Sequence, residues 1–370
     1  MPSFDRILVI VTRRIGDVLL TTPLIQAAKA RWPQARVDVL GFAGTLGVLR
    51  GNPAVNELIE VPAGAGWRQS VPLIRRLWRR YDLALVTQYS DRAHLYGWIA
   101  ASRRSGLTFL NDPSGWWKRR LLDHEEVVGR HPTHAVLERL NLLQPWADAP
   151  AAVSVGLPTA APLPADVANR LRAGYVVVHV PSLFRYKQWP VAHFKRLVSG
   201  LLADGRQVVL TGGPSPEDRD KVNEVCGVGS APDLLGLAGR LSFGQLVTLI
   251  ASASLYIGPD TSVTHIAAAC SVPVLALYGP IDPRLWGPWP QGAAPAQPYV
   301  SHALVQRAMR VTVLQGTQAC VPCNGAGCER HDNSRSDCLE TMLPERVLAQ
   351  ARALLNDVLN ATAAVGHRCR

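Results

Sequence analysis

The chain has 370 residues, 48% of them hydrophobic and 18% charged, and no low-complexity tract, which excludes a disordered protein and leaves room for two domains. Net charge is +11, with 20 Lys/Arg against 13 Asp/Glu in residues 1–150 and 19 against 15 in the remainder. The basic first half points to an anionic partner, which could be nucleic acid, an acidic membrane face or a phosphorylated substrate.

The first apolar run, Ile7 to Val11, is too short for the core of a signal peptide, and no run reaches the ~18 residues of a spanning helix. A cytoplasmic protein with reduced thiols is expected. Arg6–Thr12 reads as a buried parallel strand. Gly16 follows in a loop, and Val18 to Arg31 reads as a helix ending before Pro33. Arg36–Phe42, Glu57–Val61 and Asp82–Gln88 read as further strands. Alternation of strand and helix predicts a parallel sheet covered on both faces. Residues 145–174 carry Pro145, Pro150, Pro158, Pro162 and Pro164 among alanines, so the domain junction belongs there.

The alternation then restarts. Tyr175–Val180 is a strand, Val191–Ala203 a helix stopped by Gly205, and Gln207–Thr211 a strand ending in Gly212-Gly213. Leu255–Ile257 and Pro273–Tyr278 are strands flanking a helix. The expected architecture is therefore α/β, with two doubly wound domains: residues 1–160, residues 161–345, and a closing helix and tail over 346–370. Open parallel sheets bind ligands at the carboxyl ends of their strands, which predicts a cleft between the two sheets. Neither first strand is followed by G-x-G-x-x-G, which disfavours a dinucleotide dehydrogenase.

Four motifs and a fifth, shorter piece sit at strand ends. Asp17, in Arg13-Arg14-Ile15-Gly16-Asp17, is a carboxylate in a first helical turn, readable equally as a dipole partner or as a general base. Lys187, in Tyr186-Lys187-Gln188-Trp189-Pro190, stands where a phosphate would lie, though a solvated loop lysine is the plainer reading. Leu210-Thr211-Gly212-Gly213-Pro214-Ser215-Pro216-Glu217 offers close backbone approach. Gly258-Pro259-Asp260-Thr261-Ser262-Val263-Thr264-His265 opens a small-residue helix whose free N–H groups favour a diphosphate, with a plain Ser/Thr cap as the alternative. Gly279-Pro280-Ile281-Asp282-Pro283 follows the next strand.

In this order, from about residue 6 to about residue 350, these motifs resemble the family 9 glycosyltransferases, the lipopolysaccharide heptosyltransferases. The resemblance implies a GT-B fold, with the acceptor in the first Rossmann-like domain and the nucleotide sugar in the second. It also implies inverting transfer from ADP-heptose to the lipopolysaccharide inner core, without a required metal or other cofactor. Asp17 matches the family's general base and Lys187 the lysine that neutralises the departing phosphates. Asp260, Thr261 and His265 match the donor loop, with the amides at Thr261, Ser262 and Val263 holding the diphosphate and Gly213 nearby. Ser262 stands where the family often has Gly, and Arg13 where a small or acidic residue is common. Ser215 replaces an acid that contacts the nucleoside, with Glu217 as a nearby substitute.

Cys320, Cys323, Cys328 and Cys338 form C-x2-C-x4-C-x9-C with His331 inside. A zinc site is weighed and set below a thiol-rich loop, because a second Cys-x2-Cys pair is missing. Cys226, Cys270 and Cys369 read as unrelated. Arg75 to Arg80 reads as a solvated helix face over a buried stripe of Ile74, Leu77, Trp78 and Tyr81. Trp116-Trp117-Lys118-Arg119-Arg120 reads as a loop suited to a membrane interface. Lys118, Arg119 and Arg120, with Arg13 and Arg14, are therefore the expected acceptor-binding residues, on an anionic lipid-linked acceptor at the inner face of the cytoplasmic membrane. No nucleic-acid-binding motif is present. Other nucleotide-sugar enzymes of the same fold (a hexosyltransferase or an epimerase) and a silent glycolipid-binding protein are the alternatives.

Overall fold

The computed structural model describes residues 2–62, 64, 67–230 and 232–368. The chain forms two compact units, Met1–Thr159 with Gln291–Gln297, and Ala160–Pro290 with Pro298–Arg370. The chain thus returns to its first unit late, where Val153 and Ala293 form an isolated antiparallel bridge.

The first unit is built from β1 (Arg6–Val11), α1 (Ile15–Leu19), α2 (Thr22–Arg31), β2 (Arg36–Phe42), β3 (Glu57–Val61) and α3 (Trp67–Leu77), followed by β4 (Tyr81–Val86), α4 (Asp91–Ala100), β5 (Ala101–Phe109), α5 (Gly115–Leu121), β6 (His124–Val128) and α6 (Ala135–Asn141). The six strands are all parallel, in the order β3-β2-β1-β4-β5-β6. β1 is central, and Ile7 to Val11 are all buried because helices cover both faces. The winding reverses between β1 and β4, since β2 lies on one side of β1 and β4 on the other. That reversal is where an open sheet of this kind leaves a crevice for a ligand. α2 packs on α6, while α3, α4 and α5 pack in series, α3 on α4 and α4 on α5.

The single helix expected from Val18 to Arg31 is two. Thr21 Oγ1 donates to the Asp17 carbonyl at 2.8 Å and Thr22 Oγ1 to the Leu19 carbonyl at 2.6 Å. Pro23, lacking an N–H, then starts α2 afresh. The expected burial of Trp78 is also corrected: it is 60% exposed, because α3 ends at Leu77 and Arg79 takes a positive φ of 47° as the chain turns into β4. Trp116 and Trp117 lie in helix α5, not in a loop.

The second unit contains α7 (Ala165–Ala168), β7 (Val176–His179), α8 (Val191–Ala203), β8 (Val208–Thr211), α9 (Pro216–Cys226), β9 (Leu234–Gly236), α10 (Phe243–Ala251), β10 (Leu255–Pro259) and α11 (Ser262–Ala269). β11 (Val274–Tyr278), α12 (Pro283–Trp286), β12 (Val305–Ala308), β13 (Val311–Gln315), α13 (Asp337–Glu340) and α14 (Pro344–Arg368) complete it. The sheet order is β12-β13-β11-β10-β7-β8-β9, parallel except for β12 at the edge. Its winding reverses between β7 and β10. Val347, Ala351, Leu354 and Leu355 of α14 join the same core as Phe194, Leu197 and Leu201 of α8, so the closing helix belongs to this unit. Among the described residues no helix is long and apolar enough to cross a membrane.

Candidate active site

In the first unit the loop leaving β1 presents Asp17 at the reversal point. Asp17 is 8% exposed, and its carboxylate oxygen Oδ1 lies 3.1 Å from the Arg139 guanidinium and 3.7 Å from that of Arg13. Arg139 comes from α6, is buried, and also donates to the Ala135 carbonyl at 3.0 Å. Burial pulls the Arg139 guanidinium below its ordinary range, and the charge of Asp17 opposes that pull. Arg13 stands 5.7 Å from the centre of the Tyr89 ring. Next to Arg139, burial raises the Glu138 carboxyl to about 7, with Arg139 pulling the other way and Glu126 adding to the rise. Sequence reasoning missed Arg139 and Glu138, since nothing in a short amphipathic helix marks which of its charges is buried.

The second unit places its motifs around the β7–β10 reversal. The turn Arg185–Lys187 follows β7, and Lys187 Nζ lies 2.5 Å from Asp260 Oδ2 just beyond the end of β10. Asp260 is 7% exposed, and its Oδ1 accepts from the Tyr278 hydroxyl at 3.4 Å. Gln188 donates to the Ser182 carbonyl at 2.6 Å, and the Ser182 hydroxyl donates to the Asp260 carbonyl at 3.4 Å, so the two loops are joined. Trp189 anchors its side by donating to the Met342 carbonyl at 2.9 Å.

α11 begins directly after Asp260 and Thr261. Thr261 precedes the helix without a side-chain cap, and the first helical bond runs from the His265 N–H to the Thr261 carbonyl at 3.3 Å. The amides of Ser262, Val263 and Thr264 therefore lack partners within the helix and form a small positive end. Thr264 is turned inward, donating to the Pro259 carbonyl at 2.5 Å, and Tyr256 lies 3.0 Å from it. Val263 and His265 are buried, while Thr261 and Ser262 are partly exposed.

The Gly212-Gly213 pair lies close under α9. A Cβ at Gly212 would meet Val222 at 2.9 Å, and one at Gly213 would meet the Asp218 carboxylate at 2.3 Å. The glycines give α9 room to pack against the loop after β8. Ser215 caps α9, accepting from the Asp218 N–H at 3.1 Å. Glu217 pairs with Lys221 at 2.6 Å, and Lys221 also donates to Gln188 at 2.8 Å.

Among the expected acceptor residues, Lys118 is corrected. It is 2% exposed and held by Asp112, by Asp91 at 2.8 Å and by the Tyr89 carbonyl at 2.6 Å. A lysine so enclosed ties α5 to α4 and offers no surface charge. Arg119 pairs with Glu125 at 2.8 Å, and Arg120 is exposed, as is Arg14.

The cysteine segment splits. Cys320, Cys323 and Cys328 are exposed and Cys338 is buried in the core beside Leu339 and Val321. Burial raises the Cys338 thiol to about 12, with smaller rises from Cys323, Cys328 and Cys320. Among the described residues no three His, Cys, Asp or Glu side chains gather as a metal ligand set. The segment braces instead: Asn324 accepts from the Asp282 N–H at 2.9 Å, and Ser336 donates to the Tyr186 carbonyl at 2.7 Å, next to Lys187. Cys226 and Cys270 lie elsewhere in the unit, and Cys369 lies outside the described residues.

A family model described as glycosyltransferase family 9 (heptosyltransferase) matches residues 71–297. The chain belongs to glycosyltransferase family 9. It is 31% identical to lipopolysaccharide heptosyltransferase 3 of Escherichia coli (strain K12), over 74% of this chain and 82% of that protein. The E. coli ADP-heptose lipopolysaccharide heptosyltransferase II structure superposes with a TM-score of 0.69 at 24% identity, covering 95% of this chain and 99% of that one. E. coli heptosyltransferase WaaC with ADP-2-deoxy-2-fluoro heptose superposes at 0.67, with 18% identity over 94% and 99%. The fold of this family 9 enzyme is GT-B, and the enzyme is a glycosyltransferase.

Proposed function

We propose that this glycosyltransferase moves a heptosyl group from ADP-heptose to a sugar hydroxyl of the lipopolysaccharide inner core, in the cytoplasm and with inversion. The observation that carries the donor side is the Lys187–Asp260 pair, 2.5 Å apart, at the positive start of α11. A diphosphate seated there would meet the Ser262, Val263 and Thr264 amides and the Lys187 ammonium together. Asp260 holds the lysine in place beforehand, so little reorganisation is needed when charge develops on the leaving ADP. WaaC, solved with an ADP-sugar analogue, supports this class of donor.

Asp17 is the proposed general base. The acceptor oxygen attacks the anomeric carbon, the bond from that carbon to the phosphate oxygen breaks with its electron pair leaving on ADP, and the hydroxyl proton passes to Asp17. Arg139 fixes the carboxylate, and Arg13 and Arg14 are proposed to meet acceptor phosphates. No metal enters this scheme: the charge on the departing diphosphate is met by Lys187 and the helix end.

Calorimetric titration with ADP, UDP and GDP, followed by transfer assays with the matching sugar donors, tests the reading. Binding confined to ADP and turnover with ADP-heptose are expected. Preferential binding of UDP or GDP would move the enzyme to another donor class.

A further inference from the structure

Helices α3, α4 and α5 pack side by side on one face of the first sheet and carry a row of exposed aromatic rings. Trp78, just past α3, is 60% exposed, Trp98 on α4 46% and Trp116 on α5 66%. Leu95, one turn from Trp98 on the same outward side of α4, is 44% exposed. The inward residues of α4, Ala93, Tyr96 and Ala100, already pack on Leu77 and the strands, so the core does not claim the outward ones.

The three pieces are fastened together. The Arg79 N–H donates to the Ile99 carbonyl at 2.9 Å, which sets Trp78 beside the end of α4 that bears Trp98. Lys118 reaches Asp91 at 2.8 Å, which sets α5 against the start of α4. α4 has ten residues, so its two ends, one beside Trp78 and the other against α5, lie about 15 Å apart at 1.5 Å per residue.

The charge on this layer is one-sided. Residues 70–80, 91–100 and 115–121 hold eight Lys/Arg, of which Lys118 is buried, and one acid, Asp91. Arg76, Lys118 and Arg119 are matched by Glu57, by Asp91 with Asp112, and by Glu125. Arg79, Arg80 and Arg120 stand exposed among the tryptophans.

We infer that this helix layer is a docking face for an anionic lipid bilayer. Tryptophan suits the interface because its ring is apolar and its N–H wants a polar partner. Arginine stems cover apolar surface while their heads meet lipid phosphates. The exposed aromatic rings and the excess of bases match that environment jointly, whereas a protein partner would be expected to answer with acids and a packed pocket. The inference does not depend on which sugar is transferred.

The test is sedimentation of the full chain with phosphatidylethanolamine–phosphatidylglycerol vesicles and with phosphatidylcholine vesicles. Binding to the first and not the second is expected. Each exposed arginine near an anionic surface contributes about fivefold, so an Arg79→Gln, Arg80→Gln, Arg120→Gln variant should bind roughly a hundredfold more weakly. A Trp78→Ser, Trp98→Ser, Trp116→Ser variant should lose binding and also lose the fluorescence quenching that brominated lipids produce in the native chain. Circular dichroism and ADP titration establish that both variants are folded. Absence of sedimentation by the native chain, or unchanged binding by either folded variant, overturns the proposal. So does a native chain that ignores vesicles but changes from oligomer to monomer when the tryptophans are replaced, since the face would then join two copies.

Discussion

Removing the Asp17 side chain should do two separable things. Arg139 is buried, and its guanidinium meets the Asp17 carboxylate at 3.1 Å. Taking away one member of a buried pair strands the other, which costs about 3–5 kcal/mol. At about 2–4 °C per kcal/mol for a domain of this size, Asp17→Ala should lower the melting temperature by on the order of 10 °C. Asp17→Asn keeps an oxygen to accept from Arg139 and should lose less, about 1–3 kcal/mol. If Asp17 is the general base, Asp17→Asn still loses roughly two to four decades of turnover at a temperature where it is folded. The assay is urea unfolding of Asp17→Ala, Arg139→Met and the double variant, beside turnover and ADP affinity of Asp17→Asn. The double variant should recover much of the loss, because an apolar residue replaces the stranded charge. An Asp17→Ala protein as stable as the native one, or single losses that simply add, would refute the buried-pair argument. Native turnover in Asp17→Asn would remove Asp17 from the chemistry while leaving that argument intact.

Lys187→Ala should weaken ADP binding by calorimetry and slow transfer further still, since the ammonium matters more to departing ADP than to the bound donor; unchanged affinity and rate would displace the donor site. Glu138 has its carboxyl raised to about 7, so the folded chain holds a proton there that the unfolded chain releases near the ordinary carboxylate value. Stability therefore falls as pH rises from the unfolded value through about 7. Glu138→Gln should flatten that slope in urea titrations across the range, and an identical pH profile would contradict the burial of Glu138. Thiol labelling followed by mass spectrometry should modify Cys320, Cys323 and Cys328 in the native chain, and Cys338 only on unfolding. Elemental analysis is expected to find no bound metal, and serine at the three exposed positions should shift stability by less than about 0.5 kcal/mol.

Much of the scaffold was legible in the sequence, because a parallel strand covered on both faces must be apolar throughout. Ile7 to Val11 and Val176 to Val178 announce themselves that way. Helix Val191–Ala203 was readable from its period, whereas the break between α1 and α2 was read through as one helix although Pro23 stands at it. β5 was not readable: Ser102, Arg103 and Arg104 interrupt its apolar pattern, and these are the residues left exposed or half-buried where the strand begins.

The pairings of the site were the tertiary structure's decision. Asp17 and Arg139 are 122 residues apart, and they meet because α6 packs on α2 beside the loop leaving the central strand. Lys187 and Asp260 meet because β7 and β10 are neighbours at the reversal of the second sheet, although 73 positions separate these residues in the chain (260 − 187). Lys118 reads as one more base in a basic run, yet it is the one enclosed by two carboxylates. Trp78 reads as one more apolar residue in a helix, yet it is the one left outside. Local pattern fixes which segments become strands and helices, because period and backbone preference act over a few residues. Which charge is buried, and which ring faces water, depends on strand order, and strand order is set only when distant segments compete for the same neighbours.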